Sequence, residues 1–314
     1  MDPCDARLRS GMVGSVDLPA AEAWIREHVQ PTGAIETAHD RPWATVLRVP
    51  VVEGVVWFKA CAPVQTFEPR LTAELFARWP ELVTEVIAHD VERAWMLLAD
   101  AGDPLGELGN PLEAWYTALP RYAELQRSEV PYAQDHLAHG VPDLRVSNLP
   151  ARFDELLGRE LPLQDAEIER LRRFAPRFAE LCDELAACGI PETIQHDDLH
   201  QWNLFAGGGD VRILDWGDAS IAHPFASLIV TFTSLEEVNA LSSGDPVFAR
   251  LRDVYLEPWG GGLAEVFTLA MRLGAFAHAI AHLRQRDFLP GWALADFDAA
   301  FAKRLRRAIA QTGD

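Results

Sequence analysis

The sequence predicts an α+β chain of two unequal parts, a strand-rich first hundred residues followed by a larger, mostly helical remainder. Three observations carry this. Residues 44–52 (ATVLRVPVV), 55–60 (VVWFKA) and 94–98 (AWMLL) are apolar runs of strand length and composition, the first two joined at Glu53-Gly54. Residues 111–126, 166–187, 225–239 and 262–286 alternate apolar and charged positions at helical spacing between proline and glycine breaks. Between the second and third of these helices, two short apolar runs, 204–206 and 211–214, flank Gly207, Gly208 and Gly209, a hairpin signature inside an otherwise helical region.

The hairpin sets the chemistry. With its turn near Gly209, Asn203 lies six residues before the turn and Asp215 six after it, so both side chains emerge at the open end of the two strands. A carboxylate and an amide carbonyl are hard oxygen ligands of the kind Mg2+ takes, in small number, alongside substrate phosphates. Asp198, five positions before Asn203, sits on the loop entering the hairpin, where it can accept a proton from an attacking hydroxyl.

The run His196-Asp197-Asp198-Leu199-His200-Gln201-Trp202-Asn203 resembles the H-x-D-x-x-x-x-N loop of protein kinases and most closely the HGDLHxxN of the aminoglycoside phosphotransferase family. Asp215-Trp216-Gly217-Asp218 resembles the same family's counterpart of the kinase D-F-G. The resemblance implies a bilobal protein-kinase-like fold, with an N-terminal lobe over 1–100, a hinge at about 98–103 and a catalytic and acceptor-binding lobe over 104–314. It implies Mg2+ and ATP or GTP as phosphoryl donor. It departs from the family at Asp197, where glycine is frequent.

Other roles follow from the same resemblance. Lys59, at the end of its strand, matches the kinase lysine that contacts nucleotide phosphates, although a lysine in an apolar strand commonly points to solvent at a sheet edge. Glu74, fifteen residues on in a helical stretch at 71–78, is the expected ion-pair partner of Lys59, with Glu68 a weaker competitor. The backbone about Leu98, Ala99 and Ala101 forms the hinge that would bind adenine. His196 and His200 support the catalytic loop, while Asp218 could reach the metal, cap the next segment or attract substrate. No G-x-G-x-x-G and no P-loop motif occurs, so the phosphate-covering loop falls to residues 39–43 (HDRPW).

Composition adds boundaries. The chain has 314 residues, 49% of them hydrophobic, enough for one large or two modest cores. The net charge of −19 argues against nucleic acid or an anionic membrane as partner and favours cations, although a merely soluble acidic surface gives the same total; the partners that the resemblance implies are a nucleotide and a hydroxylated small molecule, a cationic one included. No run of eighteen apolar residues occurs and the N-terminus has no leader pattern, which predicts a cytoplasmic protein. Cys4, Cys61, Cys182 and Cys188 show no C-x-x-C spacing and read as idle thiols. His278 and His282, four apart, read as partly buried helix residues rather than zinc ligands, and residues 140–150 as a surface loop and a candidate lid over the acceptor. The rival readings are a catalytically silent kinase-like binding protein, disfavoured by retention of Lys59, Asp198, Asn203 and Asp215 together, and an H-D type phosphohydrolase, which would need its ligands on helices.

Overall fold

The computed structural model describes residues 16–207 and 210–313. Gly208 and Gly209, at the expected hairpin turn, the N-terminus and Cys4 lie outside the described residues. In chain order the elements are α1 (Leu18–His28), β1 (Glu36–Arg41), β2 (Ala44–Val51), β3 (Gly54–Cys61), α2 (Glu68–Arg78), β4 (Val86–Asp90), β5 (Trp95–Ala99) and β6 (Asp103–Pro104). These are followed by α3 (Leu112–Glu129), α4 (Ala133–Ala138), β7 (Asp143–Leu144), α5 (Leu149–Leu157), α6 (Asp165–Ala186), β8 (Thr193–Gln195), β9 (Leu204–Gly207), β10 (Asp210–Ile213) and β11 (Ser220–Ala222). Four helices close the chain: α7 (Leu228–Val238), α8 (Pro246–Leu256), α9 (Ala264–Arg286) and α10 (Leu294–Ala310).

The first sheet is antiparallel, in the order β1-β2-β3-β5-β4. Its inner face closes a small core in which Trp24 and Ile25 of α1 meet Leu47, Phe58, Trp95 and Leu97. Alternation along β2 and β3 produces that face: Leu47 and Val49 on one strand and Val56 and Phe58 on the other point inward. Helix α1 was not singled out from sequence, yet its start is conventional. Asp17 accepts the Ala20 N–H at 3.2 Å and Pro19 occupies the first turn.

The larger core belongs to the helices, with Trp115, Leu119 and Tyr122 of α3, Phe178 of α6, Phe225, Tyr255 and Phe276 at its centre. Helix α2 follows the sheet strand β3 in sequence but packs into this larger core through Leu71 and Leu75. It is also clamped there electrostatically. Arg78 donates two hydrogen bonds of 2.7 Å to the two oxygens of Glu129 on α3, and His136 Nε2 lies 2.9 Å from Glu129 Oε2.

The expected hairpin forms, with β9 and β10 paired from Leu204↔Ile213 to Gly207↔Asp210, and β6 adds to its edge. The chain thus leaves the five-stranded sheet at Ala99 and joins the hairpin's sheet at Asp103. Residues 140–150 differ from the expected surface loop. Asp143 and Leu144 pair in parallel with Ile221 and Ala222, and Val141, Leu144, Val146 and Leu149 are buried. The glycine and prolines there break helices without leaving the backbone unpaired, because β11 supplies a ladder that no local pattern announces.

Helix α9 is long and apolar enough by length and composition to cross a membrane, but half of its most apolar window is buried within the protein. It reads as a core helix. On it His282 stacks on Phe297 at a centroid distance of 4.2 Å, and His278 Nε2 accepts from Arg304 Nε at 2.9 Å. Both rings are half-buried polar groups.

Candidate active site

Three segments converge below the first sheet. Lys59 is on β3, a strand flanked by β2 and β5 rather than an edge, and its side chain is buried. Its Nζ donates to Glu68 Oε1 at 2.7 Å and to Asp215 Oδ1 at 2.6 Å. Glu74 does not fill the partner role expected of it. It lies two turns further along α2, 3.2 Å from His139 Nδ1 and 3.5 Å from His136 Nδ1. The reason is local: α2 begins at Glu68, not near Leu71, and a 3-10 turn at Pro63–Gln65 folds the chain back so quickly that the helix's first residue already faces Lys59.

Burial lowers the Lys59 ammonium's affinity for its proton, and the Asp215 and Glu68 carboxylates more than reverse this, so Lys59 remains charged. Glu68 is fully buried, which pushes its carboxyl up to about 6 against the pull of Lys59. Its second oxygen accepts from the Cys61 thiol at 3.2 Å. Burial, then Glu68, raise that thiol well above the ordinary range, so Cys61 is unreactive. Cys182 is buried and Cys188 exposed, both free.

The loop at 196–203 is braced by its own polar groups. His196 Nδ1 accepts the Asp198 N–H at 3.3 Å, and Nε2 lies 2.8 Å from the Leu214 carbonyl, so the proton sits on Nε2 and the ring ties the loop to the residue before Asp215. Burial lowers its pKa and keeps it neutral. The ring packs on the fully buried Trp216 at 4.8 Å. Asn203 Nδ2 donates to the Asp198 carbonyl at 2.9 Å and to Asp198 Oδ2 at 3.3 Å, while His200 Nε2 lies 3.3 Å from the same Oδ2. Burial acts to raise the Asp198 carboxyl, but His200 above all, by charge and hydrogen bond, and then Arg304 hold it down to about 2.

Asp197 and Asp215 both have φ of 63°, in the left-handed region that glycine enters freely and aspartate better than most other residues. That accounts for an aspartate at a position where the resembled motif has glycine. Its carboxylate turns away from Asp198 and accepts from Ser220 Oγ at 2.5 Å and from Gln195 Nε2. Burial raises it to about 7. Asp218 accepts from Gln285 Nε2 at 2.5 Å, and burial, followed by the Asp198 and Asp215 charges, raises it to about 6. Asp215 is the exposed member, its side chain 44% accessible, and Lys59 holds its carboxyl below the ordinary value in spite of desolvation.

The Asp215 turn sits close to α2. A Cβ on Gly217 would stand 2.6 Å from Gln65 Nε2 and 2.8 Å from Glu68 Oε2, so a side chain there would displace the ends of both, and glycine lets the turn sit against the Lys59–Glu68 pair. At the hinge, the Ala99 N–H donates to the Glu85 carbonyl at 3.0 Å and its carbonyl accepts from Thr84 Oγ1 at 3.3 Å, while Leu98 pairs with Trp57. Ala99's groups are thereby spent within the sheet, and the backbone of Asp100 and the buried Ala101 follows as the chain turns toward the hairpin. Of the segment 39–43 expected to cover the phosphates, residues 39–41 are the end of strand β1 and only Pro42-Trp43 forms a turn, with Trp43 exposed.

The oxygens on offer suit a hard cation. Asn203 commits its amide nitrogen to Asp198, which leaves the carbonyl oxygen as its ligand atom, Asp215 gives Oδ1 to Lys59 and keeps its second oxygen, and the Leu214 N–H to Asn203 carbonyl bond of 3.0 Å ties the two segments together. Among the described residues no cluster of three or more His, Cys, Asp or Glu side chains forms an all-protein cage. A pair of oxygens completed by phosphates and water is how Mg2+ is held.

The family described as "Phosphotransferase enzyme family" matches residues 69–267. No curated protein sequence matches the chain. Among solved structures, a choline/ethanolamine kinase family protein from Mesorhizobium loti superposes with a TM-score of 0.62 at 16% identity, covering 94% of this chain and 95% of its own. A macrolide 2'-phosphotransferase from Brachybacterium faecium does so at 0.58 and 16%, covering 93% and 97%. An amicoumacin kinase in complex with AMP-PNP, Ca2+ and Ami does so at 0.57 and 12%, covering 95% and 94%. At these identities the likeness is one of fold, the bilobal protein-kinase-like fold expected from the motifs.

Proposed function

This chain belongs to the phosphotransferase enzyme family, and from that premise we propose that it transfers the γ-phosphoryl group of ATP or GTP to a hydroxyl of a small molecule. The observation that carries the reading is the bridge from Lys59 to both Glu68 and Asp215, with Asp198 held alongside through Asn203. The sheet part through Ala99 is the nucleotide lobe in this reading, and the part from Asp103 onward the catalytic and acceptor lobe. Lys59, fixed by Glu68, orients the α and β phosphates, while of the expected hinge backbone about Leu98 to Ala101 the part beyond Ala99, at Asp100 and Ala101, takes the adenine. Asn203 and Asp215 hold Mg2+, which when bound neutralises the phosphate oxygens.

Asp198 accepts the proton of the acceptor hydroxyl as its oxygen bonds to the γ-phosphorus and the bond from that phosphorus to the leaving nucleotide oxygen breaks. A carboxyl held at about 2 is ionised at neutral pH and ready to do so. His196 and His200 position this loop, and Asp218, joined to Gln285 on α9, lines the acceptor side. The solved kinases with this fold bear names that include choline, macrolide and amicoumacin as acceptors, and the net charge of −19 makes cationic alcohols the first to try. The reading places the enzyme in the cytoplasm, where its nucleotide is.

The test is consumption of ATP and GTP with Mg2+ against aminoglycosides, macrolides, choline and small sugars. Turnover stimulated by one acceptor, falling roughly 10²- to 10⁴-fold in Asp198→Asn, is the expected outcome. Nucleotide binding with no turnover on any acceptor would instead support a catalytically silent binding protein.

A further inference from the structure

A cavity of about 530 Å3 lies between the start of α2, the β7 segment, α5 and the last turns of α9. Its apolar wall includes Phe67, Leu144, Leu156, Ile280 and Leu283. Of the charged groups in the lining, most are matched locally. Arg152 pairs with Glu155 at 3.0 Å, Arg159 pairs with Asp287, and Asp143 pairs with Arg145 at 2.7 Å. Arg284 is the exception. Its Nε is buried with no hydrogen-bond partner, no ion pair to it forms among the described residues, and its guanidinium stands 5.6 Å from the centre of the Phe67 ring.

A buried guanidinium N–H without an acceptor forfeits a hydrogen bond that the Phe67 ring face only partly offsets, and such groups are ordinarily paired, while the half-buried remainder of the side chain stays accessible from the cavity. Burial depresses its pKa, with only the more distant Asp218 and Asp197 opposing. Arginine's planar donor fork matches two anionic oxygens. The cavity has the volume of a small-molecule site and an apolar body to go with one cationic anchor. Its back wall is also tied to the Asp215 turn, since Gln285, the next residue after Arg284, bonds Asp218.

We propose that this cavity binds a small amphipathic anion, with a carboxylate or phosphate head on Arg284 and a compact apolar body against Leu156, Ile280 and Leu283. The site is separate from the Lys59–Asp215–Asp198 line, and its test needs no nucleotide, so it stands or falls independently of the phosphotransferase reading. Phenylacetate and phenyl phosphate, with 2-phenylethanol and 2-phenylethylamine as neutral and cationic counterparts, are titrated into the full chain by calorimetry while the Arg284 Nε–H signal is followed by NMR.

The expected result is binding of at least one anion, a shift of the Arg284 signal, at least tenfold weaker binding of both counterparts, and at least tenfold loss in Arg284→Gln with partial retention in Arg284→Lys. Phenylacetate binding alone identifies a carboxylate site and phenyl phosphate binding alone a phosphate site. Arg177→Gln, an exposed α6 residue outside the cavity lining and paired with Glu180 at 2.9 Å, keeps the affinity, and an unchanged melting transition of Arg284→Gln shows that folding is not the variable. Failure of both anions to bind, equal binding of the neutral alcohol, or undiminished binding to a folded Arg284→Gln overturns the proposal.

Discussion

At the scale of the residue, the site is a set of carboxyls whose surroundings push them apart. Glu68, at about 6, loses its charge as the pH falls below that value, and with it the ion pair that holds Lys59. Nucleotide affinity should therefore decline below about pH 6 in the wild type. Glu68→Gln should cost roughly 1.5–3 kcal/mol of phosphate binding at neutral pH and flatten that acid limb, whereas Glu74→Gln should leave affinity and pH profile alone. Calorimetric titration of a non-hydrolysable nucleotide across pH 5–8 decides between them. Asp197 has the opposite interest, since it concerns stability. Its folded pKa of about 7 lies above its unfolded value of 3.8, so its contribution is present in full below the unfolded value and is lost as the pH rises through 7. Asp197→Asn, which keeps a residue tolerant of positive φ, should gain melting temperature relative to wild type between pH 5 and pH 8. A constant difference across that range would remove the carboxyl from the account.

At the scale of the element, the site depends on how closely two short turns approach their neighbours. Gly217 leaves room for Glu68 and Gln65, and Gly106 for the Trp202 indole, whose nearest atoms would be 2.7 Å from an added Cβ. A methyl at 217 meets the ends of both Gln65 and Glu68, at 2.6 and 2.8 Å, so the effect of Gly217→Ala should reach the nucleotide through Glu68 as well as the fold. We expect overpacking of about 1–3 kcal/mol in stability, accompanied by weakened nucleotide binding. If the variant bound nucleotide as the wild type does, the Asp215 turn would not be what seats Glu68. The hairpin was legible because glycine, alternation and equal arm lengths are local facts. The pairing of β7 with β11 was not, because its two strands are seventy-six residues apart from Leu144 to Ser220 and each is only two or three residues long.

At the scale of the molecule, α2 connects the two cores. It follows the sheet in sequence, yet Leu71 and Leu75 belong to the helical core and Arg78 is held by Glu129. Glu129 is fully buried and is kept ionised, against its desolvation, by His136 and Arg78. Removing it strands the Arg78 guanidinium and takes the hydrogen-bond partner from the His136 ring. Glu129→Ala should thus destabilise the protein by roughly 3–5 kcal/mol, a cost typical of breaking a buried pair, and should free α2 enough to weaken nucleotide binding through Glu68. Chemical denaturation measures the first effect and nucleotide titration the second. A loss below about 1 kcal/mol would mean that packing alone places α2.

By itself the sequence determined which residues are candidates for the chemistry and the order in which they occur. Asp198, Asn203 and Asp215 are brought together by a hairpin only a dozen residues across, and His196 and Lys59 occupy loops and strands whose patterns are short-range. The tertiary structure decided which acid faces Lys59. Both Glu68 and Glu74 lie on α2, and the choice rests on the 3-10 turn that reverses the chain and on the burial of the helix's first turn, neither of which has a periodic signature. It also decided where Asp197 points and why Arg284 is left without an ion-pair partner, because those outcomes are set by β11, α5 and α9, segments that meet only in the folded chain. Spacing along a strand or helix fixes direction over a few residues, while pairing between distant segments is fixed by packing.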